Sequence, residues 1–229
     1  MITAEQLPND RIIALDGTSG SGKSTIARAL GSKLDLKILE SGSLYRATTL
    51  LCLEQGIDVH DENRICEVIE NMDFKFDTQA FVGERNISEE IRTHEVASNV
   101  SYVSVHPRVR ELLTQKIRQW IVENEGGVVE GRDITSVVAP NARLRFYVDA
   151  PEEIRASRRS IDSTDNMKNR TKDEIQQVIA MRDKIDSSRK SAPLKKLDDV
   201  PLIDTSIHEL NDIVEKIVES YKTESKFSL

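Results

Sequence analysis

Gly17-Thr18-Ser19-Gly20-Ser21-Gly22-Lys23-Ser24 is the stretch that decides the fold. It satisfies G-x-x-x-x-G-K-[ST] at every constrained position. A β-branched run at 12–15 precedes it, and Thr25-Ile26-Ala27-Arg28-Ala29-Leu30 follows as a helix start. Strand, glycine-rich turn and helix, in that order, build a phosphate cradle. The glycines let backbone N–H groups close around an anion that a Cβ would hold away. The helix turns its positive end to the same anion. Gly17, Thr18, Ser19, Gly20, Ser21, Gly22, Lys23, Ser24 and Thr25 are therefore the expected triphosphate-binding residues. Lys23 is placed as a point charge on the β- and γ-phosphates, and the Ser24 hydroxyl as a ligand for Mg²⁺.

Outward from this loop, short apolar runs alternate with longer helical patterns, the signature of a parallel sheet with crossover helices. Candidate strands lie at 12–15, 37–39, 127–130, 144–149 and 200–203, short and β-branched as buried parallel strands are. Pro107 opens a helix at the position where a missing N–H costs nothing, with Val109, Leu112, Leu113, Ile117, Trp120 and Ile121 as its apolar stripe. Ile207, Leu210, Ile213, Val214, Ile217, Val218 and Tyr221 form a second such stripe. Two regions break the alternation. Residues 73–91 read as a small antiparallel excursion around a Gly turn. Residues 160–172 are polar and read as a mobile loop between two helices, of the kind that closes over a site. The last residues, 222–229, read as a frayed tail.

Composition narrows the function. The 229-residue chain carries 31% charged residues, a net charge of −7 and only 4% aromatics. An acidic, ring-poor surface argues against nucleic-acid binding. No apolar run reaches the length of a membrane span, and no basic-then-apolar segment opens the chain, so a cytoplasmic protein is expected. Cys52 and Cys66 are expected as buried thiols, and the four histidines show no metal spacing.

The phosphate loop leaves several classes open. A guanine-reading N-K-x-D segment is absent from the sequence, and the run after Gly127 ends in a lone Glu130 rather than paired acids. Arginines crowd the second half instead: Arg132, Arg155, Arg158, Arg159, Arg170, Arg182 and Arg189. Phosphoryl transfer between two anions needs such positive charge around the moving group. Arg155, Arg158 and Arg159 share one helix face, and in Arg182, Asp186 and Arg189 the carboxylate is placed to orient both guanidiniums. Either cluster is equally compatible with an ordinary solvated face on spacing alone.

Further motifs carry a resemblance. Glu40-Ser41-Gly42-Ser43-Leu44-Tyr45-Arg46, Glu90-Ile91-Arg92-Thr93, Pro107-Arg108-Val109-Arg110, Glu130-Gly131-Arg132-Asp133, Arg182-Asp183 and Ala192-Pro193-Leu194 resemble the bacterial cytidylate kinases. Glu stands at 40 and 130 where that family commonly carries Asp, and Thr135-Ser136 replaces its usual Gly-Thr. The resemblance implies an α/β P-loop kinase core of five parallel strands with helices on both faces. It implies one domain, 1–229, with a monophosphate-binding lobe at about 41–110, an antiparallel insert at about 73–91 and a short lid at about 156–186. The implied reaction moves the γ-phosphoryl group of ATP·Mg²⁺ to CMP or dCMP, with no covalent intermediate, in a monomer. Lys23, Arg132, Arg158 and Arg159 would be catalytic. Ser41, Tyr45, Arg46, Ser101, Arg110, Arg132, Asp133, Arg182, Asp186 and Arg189 would hold CMP. The alternatives are a P-loop kinase for another acceptor, such as UMP or a small metabolite, and an ATP-dependent regulator that does not catalyse.

Overall fold

The structure is a computed structural model that describes residues 1–77, 79–161, 171–223 and 227. Its centre is strand β1 (Ile12–Gly17), buried at every position. Alternation sends Ile12 and Ala14 into one core and Ile13 and Leu15 into the other, so both sheet faces are covered. β1 pairs in parallel with β6 (Gly127–Gly131) and β7 (Leu144–Asp149). Strand β2 (Ile38–Glu40) adds outside β6, and β8 (Leu202–Asp204) outside β7. The order is β2-β6-β1-β7-β8, the five-stranded parallel sheet anticipated from the sequence.

Helices α1 (Lys23–Leu34) and α8 (Leu210–Thr223) cover one face through Ile26, Leu30, Ile213 and Ile217. On the other lie α2 (Gly42–Glu54), α3 (Glu62–Asn71), α4 (His94–Val103) and α5 (Pro107–Glu123). Asp61 caps α3 by accepting from Arg64 N, and Thr93 caps α4 by accepting from Val96 N. Pro107 stands at the start of α5 as expected. The excursion at 73–91 forms a three-stranded antiparallel sheet, β3 (Phe74–Asp77), β4 (Gln79–Val82) and β5 (Arg85–Asn86), turning at Gly83. Helices α6 (Glu152–Ile161) and α7 (Lys172–Ser188) pack on each other around Ala156, Ile175 and Ile179, a small core of their own.

Several sequence expectations are corrected. Strand β8 starts at Leu202 rather than Val200, because Pro201 has no N–H for a ladder; its carbonyl accepts from Tyr147 N instead. Ile207 precedes α8 and is 73% exposed, and Leu210 at the first position of α8 is 37% exposed, so both leave the core stripe. Ser160 lies in α6 and Lys172 opens α7; the rest of the expected loop, 162–170, lies outside the described residues. In the expected tail, Lys222 and Thr223 are helical, and the Phe227 ring meets Phe146 edge-on at 4.6 Å. Cys52 and Cys66 are free and buried as expected. No helix among the described residues is long and apolar enough to cross a membrane.

Gly17 joins β1 to the loop at φ +148°, and a Cβ there would run into the Val148 carbonyl of β7. Gly17→Ala is expected to cost about 3 kcal/mol or more, from strain and the backbone clash together. That is a fall of about 6–12 °C in Tm for a chain of this length. A thermal midpoint equal to the parent's would show that the β1–β7 junction has slack.

Candidate active site

In a parallel α/β sheet, ligands lie beyond the carboxyl ends of the strands. Here those ends deliver the loop after β1, Glu40 and Ser41 after β2, Glu130 to Asp133 after β6, Asp149 after β7 and Thr205 after β8. They open on one cavity of about 520 Å³, which extends from the phosphate loop to Ser101, Arg110 and Arg189. Ten cationic side chains and four carboxylates line it. A protein of net charge −7 has therefore gathered a strong positive excess in a single cleft.

Gly22 caps α1 at φ +96°, aiming the first-turn N–H groups into the cleft. Lys23 is buried, and its Nζ donates to the Thr18 carbonyl at 2.6 Å and to Ser21 Oγ at 3.3 Å. Burial, reinforced by Arg132, pulls its pKa down to about 7.

Strand parity explains the acidic pair. Ile38 and Val128 face α1, so Glu40 and Glu130, two residues on and directly opposite each other in register, face it as well. Ser24 and Arg28 are one helical turn apart on α1. Ser24 Oγ donates to Glu130 Oε1 at 3.1 Å, and Arg28 ion-pairs with Glu40. Burial and the neighbouring Glu130 raise the Glu40 pKa. The lone Glu130 of the sequence thus has a spatial partner. Ser24, Glu130 and Glu40 offer hard oxygens that fit Mg²⁺, directly or through its retained waters.

The far side of the cleft is an arginine network. Arg132 Nε donates to Asp186 Oδ2 at 2.9 Å, and Arg132 Nη1 to the Gly17 carbonyl at 2.9 Å. Arg189 Nη1 donates to Asp186 Oδ1 at 3.1 Å. Asp186 therefore orients Arg132 and Arg189, where the sequence spacing pointed to Arg182 and Arg189. Burial works against its charge, yet Arg132, Arg182 and Arg189 hold the carboxyl below the usual range. Arg110 Nη2 donates to Asp133 Oδ2 at 2.5 Å, and its guanidinium lies 5.3 Å from the centre of the Tyr45 ring. Arg46 Nη1 donates to the Ile91 carbonyl. Ser41 and Ser101 are buried on the cavity wall. Two buried nitrogens, Arg110 Nε and Arg189 Nη2, have no hydrogen-bond partner among the described residues. Arg182 makes no hydrogen bond or ion pair there, and burial with Arg132 and Arg46 brings its pKa to about 9. Such groups suit an incoming anion.

The three arginines of α6 part company. Arg158 is exposed and binds Thr205, Nη1 to Oγ1 at 2.7 Å and Nη2 to the carbonyl at 2.8 Å. Arg159 Nη1 reaches Ser19 Oγ at 3.4 Å. Arg155 is buried against the phosphate loop, so a solvated face does not describe it.

Sequence reading missed Asp16. It falls on the same face of β1 as Ile12 and Ala14, fully enclosed, and accepts from Ile134 N at 2.8 Å, Thr135 N at 2.7 Å and Thr135 Oγ1 at 2.6 Å. These bonds fasten the turn at Ile134–Val138, immediately after Arg132 and Asp133. Burial nonetheless raises its pKa to about 6. Parity within an all-buried strand was the available signal.

A phosphate loop facing an arginine cluster across the ends of a parallel sheet defines a P-loop phosphotransferase. The chain belongs to the cytidylate kinase family, whose model matches residues 13–223. It is 39% identical over 208 residues to the cytidylate kinase of Clostridioides difficile (strain 630), covering 90% of this chain and 96% of that one. Identity to the cytidylate kinase of Exiguobacterium sibiricum is also 39%, over 212 residues, with 90% and 95% covered. For that of Bacillus thuringiensis (strain Al Hakam) it is 36% over 211 residues, with 90% and 93% covered. Among solved structures, TT1252 from Thermus thermophilus aligns with 94% of this chain and 97% of its own, at 18% identity and a TM-score of 0.48.

Lys23 supplies a pH test of the site. A polyphosphate prefers the ammonium form, whereas the unliganded lysine, with its pKa near 7, is largely neutral at pH 8. ADP binding at pH 8 is therefore expected to take up close to one proton. Affinity should weaken by up to about tenfold per pH unit above 7. Calorimetry in buffers of different ionisation enthalpy measures the uptake, with Lys23→Ala as the control that lacks it. Zero uptake in the parent would mean that the lysine is already charged in the empty loop.

Proposed function

We propose that this chain transfers the γ-phosphoryl group of ATP to CMP or dCMP, giving ADP and CDP or dCDP. The observation that carries this reading is the single cavity shared by the phosphate loop and the Arg46, Arg110, Arg132, Arg182 and Arg189 cluster. Two anionic substrates placed there meet end to end, and family membership indicates cytidylate as the acceptor.

Gly17 to Thr25 hold the donor phosphates in this reading, with Lys23 on the β- and γ-groups. Ser24, with Glu130 and Glu40 beside it, would hold Mg²⁺, which would neutralise phosphate charge. Arg46, Arg132, Arg182 and Arg189 hold the acceptor phosphate, which is largely a dianion near neutral pH and needs no general base. Arg132 spans both sites, since it binds the Gly17 carbonyl and Asp186. Arg158 and Arg159 complete the positive charge around the moving group. Catalysis then rests on in-line alignment and charge stabilisation. Residues at about 41–110 act as the acceptor lobe and 156–186 as the lid. A monomer working in the cytoplasm belongs to the same reading.

A coupled assay of ATP turnover with a panel of nucleoside monophosphates tests the reading. CMP and dCMP should stimulate turnover well above UMP and AMP, and Lys23→Ala should abolish it while circular dichroism stays that of the parent. Turnover or closure independent of CMP would favour the regulator; a stronger response to UMP would change the acceptor.

Base choice is a finer proposal. Cytosine presents a 4-amino donor and an N3 acceptor where uracil presents the reverse. Asp133 Oδ2 is taken by Arg110, while Oδ1 accepts no hydrogen bond among the described residues and lies 4.0 Å from Arg189 Nη2. That oxygen suits the amino group and repels the 4-oxo group of uracil. A charge-assisted hydrogen bond of this kind is worth roughly 1.5–3 kcal/mol. Asp133→Ala is expected to lower kcat/KM for CMP strongly and for UMP much less, collapsing their ratio. A parallel fall in both would mean that Asp133 positions arginines and reads no base.

A further inference from the structure

Every polar group of Ser19 is gripped by the α6–α7 pair. Asp183 of α7 accepts from Ser19 N at 2.9 Å through Oδ1. Its Oδ2 accepts from Arg155 Nη1 at 2.5 Å, and that same Nη1 donates to the Ser19 carbonyl at 2.9 Å. Arg159, one turn along α6, reaches the Ser19 hydroxyl. Arg155 is anchored in turn, its Nε donating to the Ala150 carbonyl at 2.9 Å at the end of β7. Gly20 brings the loop against α6, with a Cβ position 3.1 Å from the Arg155 carbonyl. Ser19 and Arg155 are buried, and the Asp183 side chain is only 15% exposed.

The same helix serves the other half of the cleft. Asp186 is three residues beyond Asp183, so both project from one side of α7, and Asp186 holds Arg132 and Arg189. A displacement of Ser19 is thereby transmitted along less than one helical turn to the arginines of the acceptor side. Apolar packing ties α7 chiefly to α6, through the small core of Ala156, Ile175 and Ile179, leaving these polar contacts to set where the pair sits on the phosphate loop.

We propose that Asp183 and Arg155 are positioning residues that couple the donor and acceptor sites. They clamp Ser19 of the phosphate loop to α7, so that a nucleotide in the loop sets Arg132 and Arg189 for the acceptor. This rests on the kinase reading above. Coupling between two sites is reciprocal and commonly amounts to about 5–150-fold in affinity.

The test is CMP affinity with and without a saturating non-hydrolysable ATP analogue, in the parent, Asp183→Asn and Arg155→Lys. In the parent the analogue should tighten CMP about tenfold. In both variants CMP alone should bind within about twofold of the parent, the tightening should largely vanish, and kcat should fall more than KM for CMP rises. Equal tightening in parent and variants, or none in the parent, overturns the proposal. So does loss of folding in both variants, which would make the clamp a stability element only. Failure of the parent to phosphorylate CMP is read separately in the assay panel and falls on the functional reading.

Discussion

Unbalanced positive charge gathered in one cleft is the constraint on which the rest of this structure depends. Cations taken out of water are costly unless each is paired or awaits an anion. The cleft obeys this division. Asp133 holds Arg110, Asp186 holds Arg132 and Arg189, Glu40 holds Arg28 and Asp183 holds Arg155. The remainder is left under-compensated, and its cost is visible in the lowered pKa values of Lys23 and Arg182. An anion placed beside these two groups would favour their charged forms.

The parallel sheet makes this arrangement possible by fixing where each group emerges. Alternation along strands buried on both faces assigns Asp16 to one side and Glu40 with Glu130 to the other. Asp16 then holds the turn that aims Arg132 and Asp133, while the two glutamates meet Ser24 and Arg28 of α1. Moving any of these residues by one position along its strand would turn it to the opposite face. Precision at the site is thus inherited from the ladder and from apolar packing on both faces.

Helices α6 and α7 follow another principle. Their own core is small, and polar contacts with the phosphate loop and with Arg132 place them. Polar contacts exchange for water or ligand at little net cost, whereas a large apolar interface does not. Contacts of this kind are the ones the proposed coupling between the two halves of the cleft would work through.

The phosphate loop, the strand-and-helix alternation, the Pro107 helix and the antiparallel excursion were all legible in the sequence. Each is set by local rules: glycine freedom, apolar periodicity and proline's missing N–H. The residues that the resemblance grouped into one site also line one cavity. Pairings were not legible. Asp16 meets Ile134 across 118 positions and Ser19 meets Asp183 across 164, separations over which spacing carries no geometric information. Asp186 chose Arg132 over the nearer Arg182, and Glu40 became the companion of Glu130, because sheet order and not chain order decides which residues are neighbours. Local chemistry in the sequence therefore determined the cradle and the class of ligand. Only the tertiary structure decided which carboxylate restrains which cation, since that depends on where strands distant in sequence end.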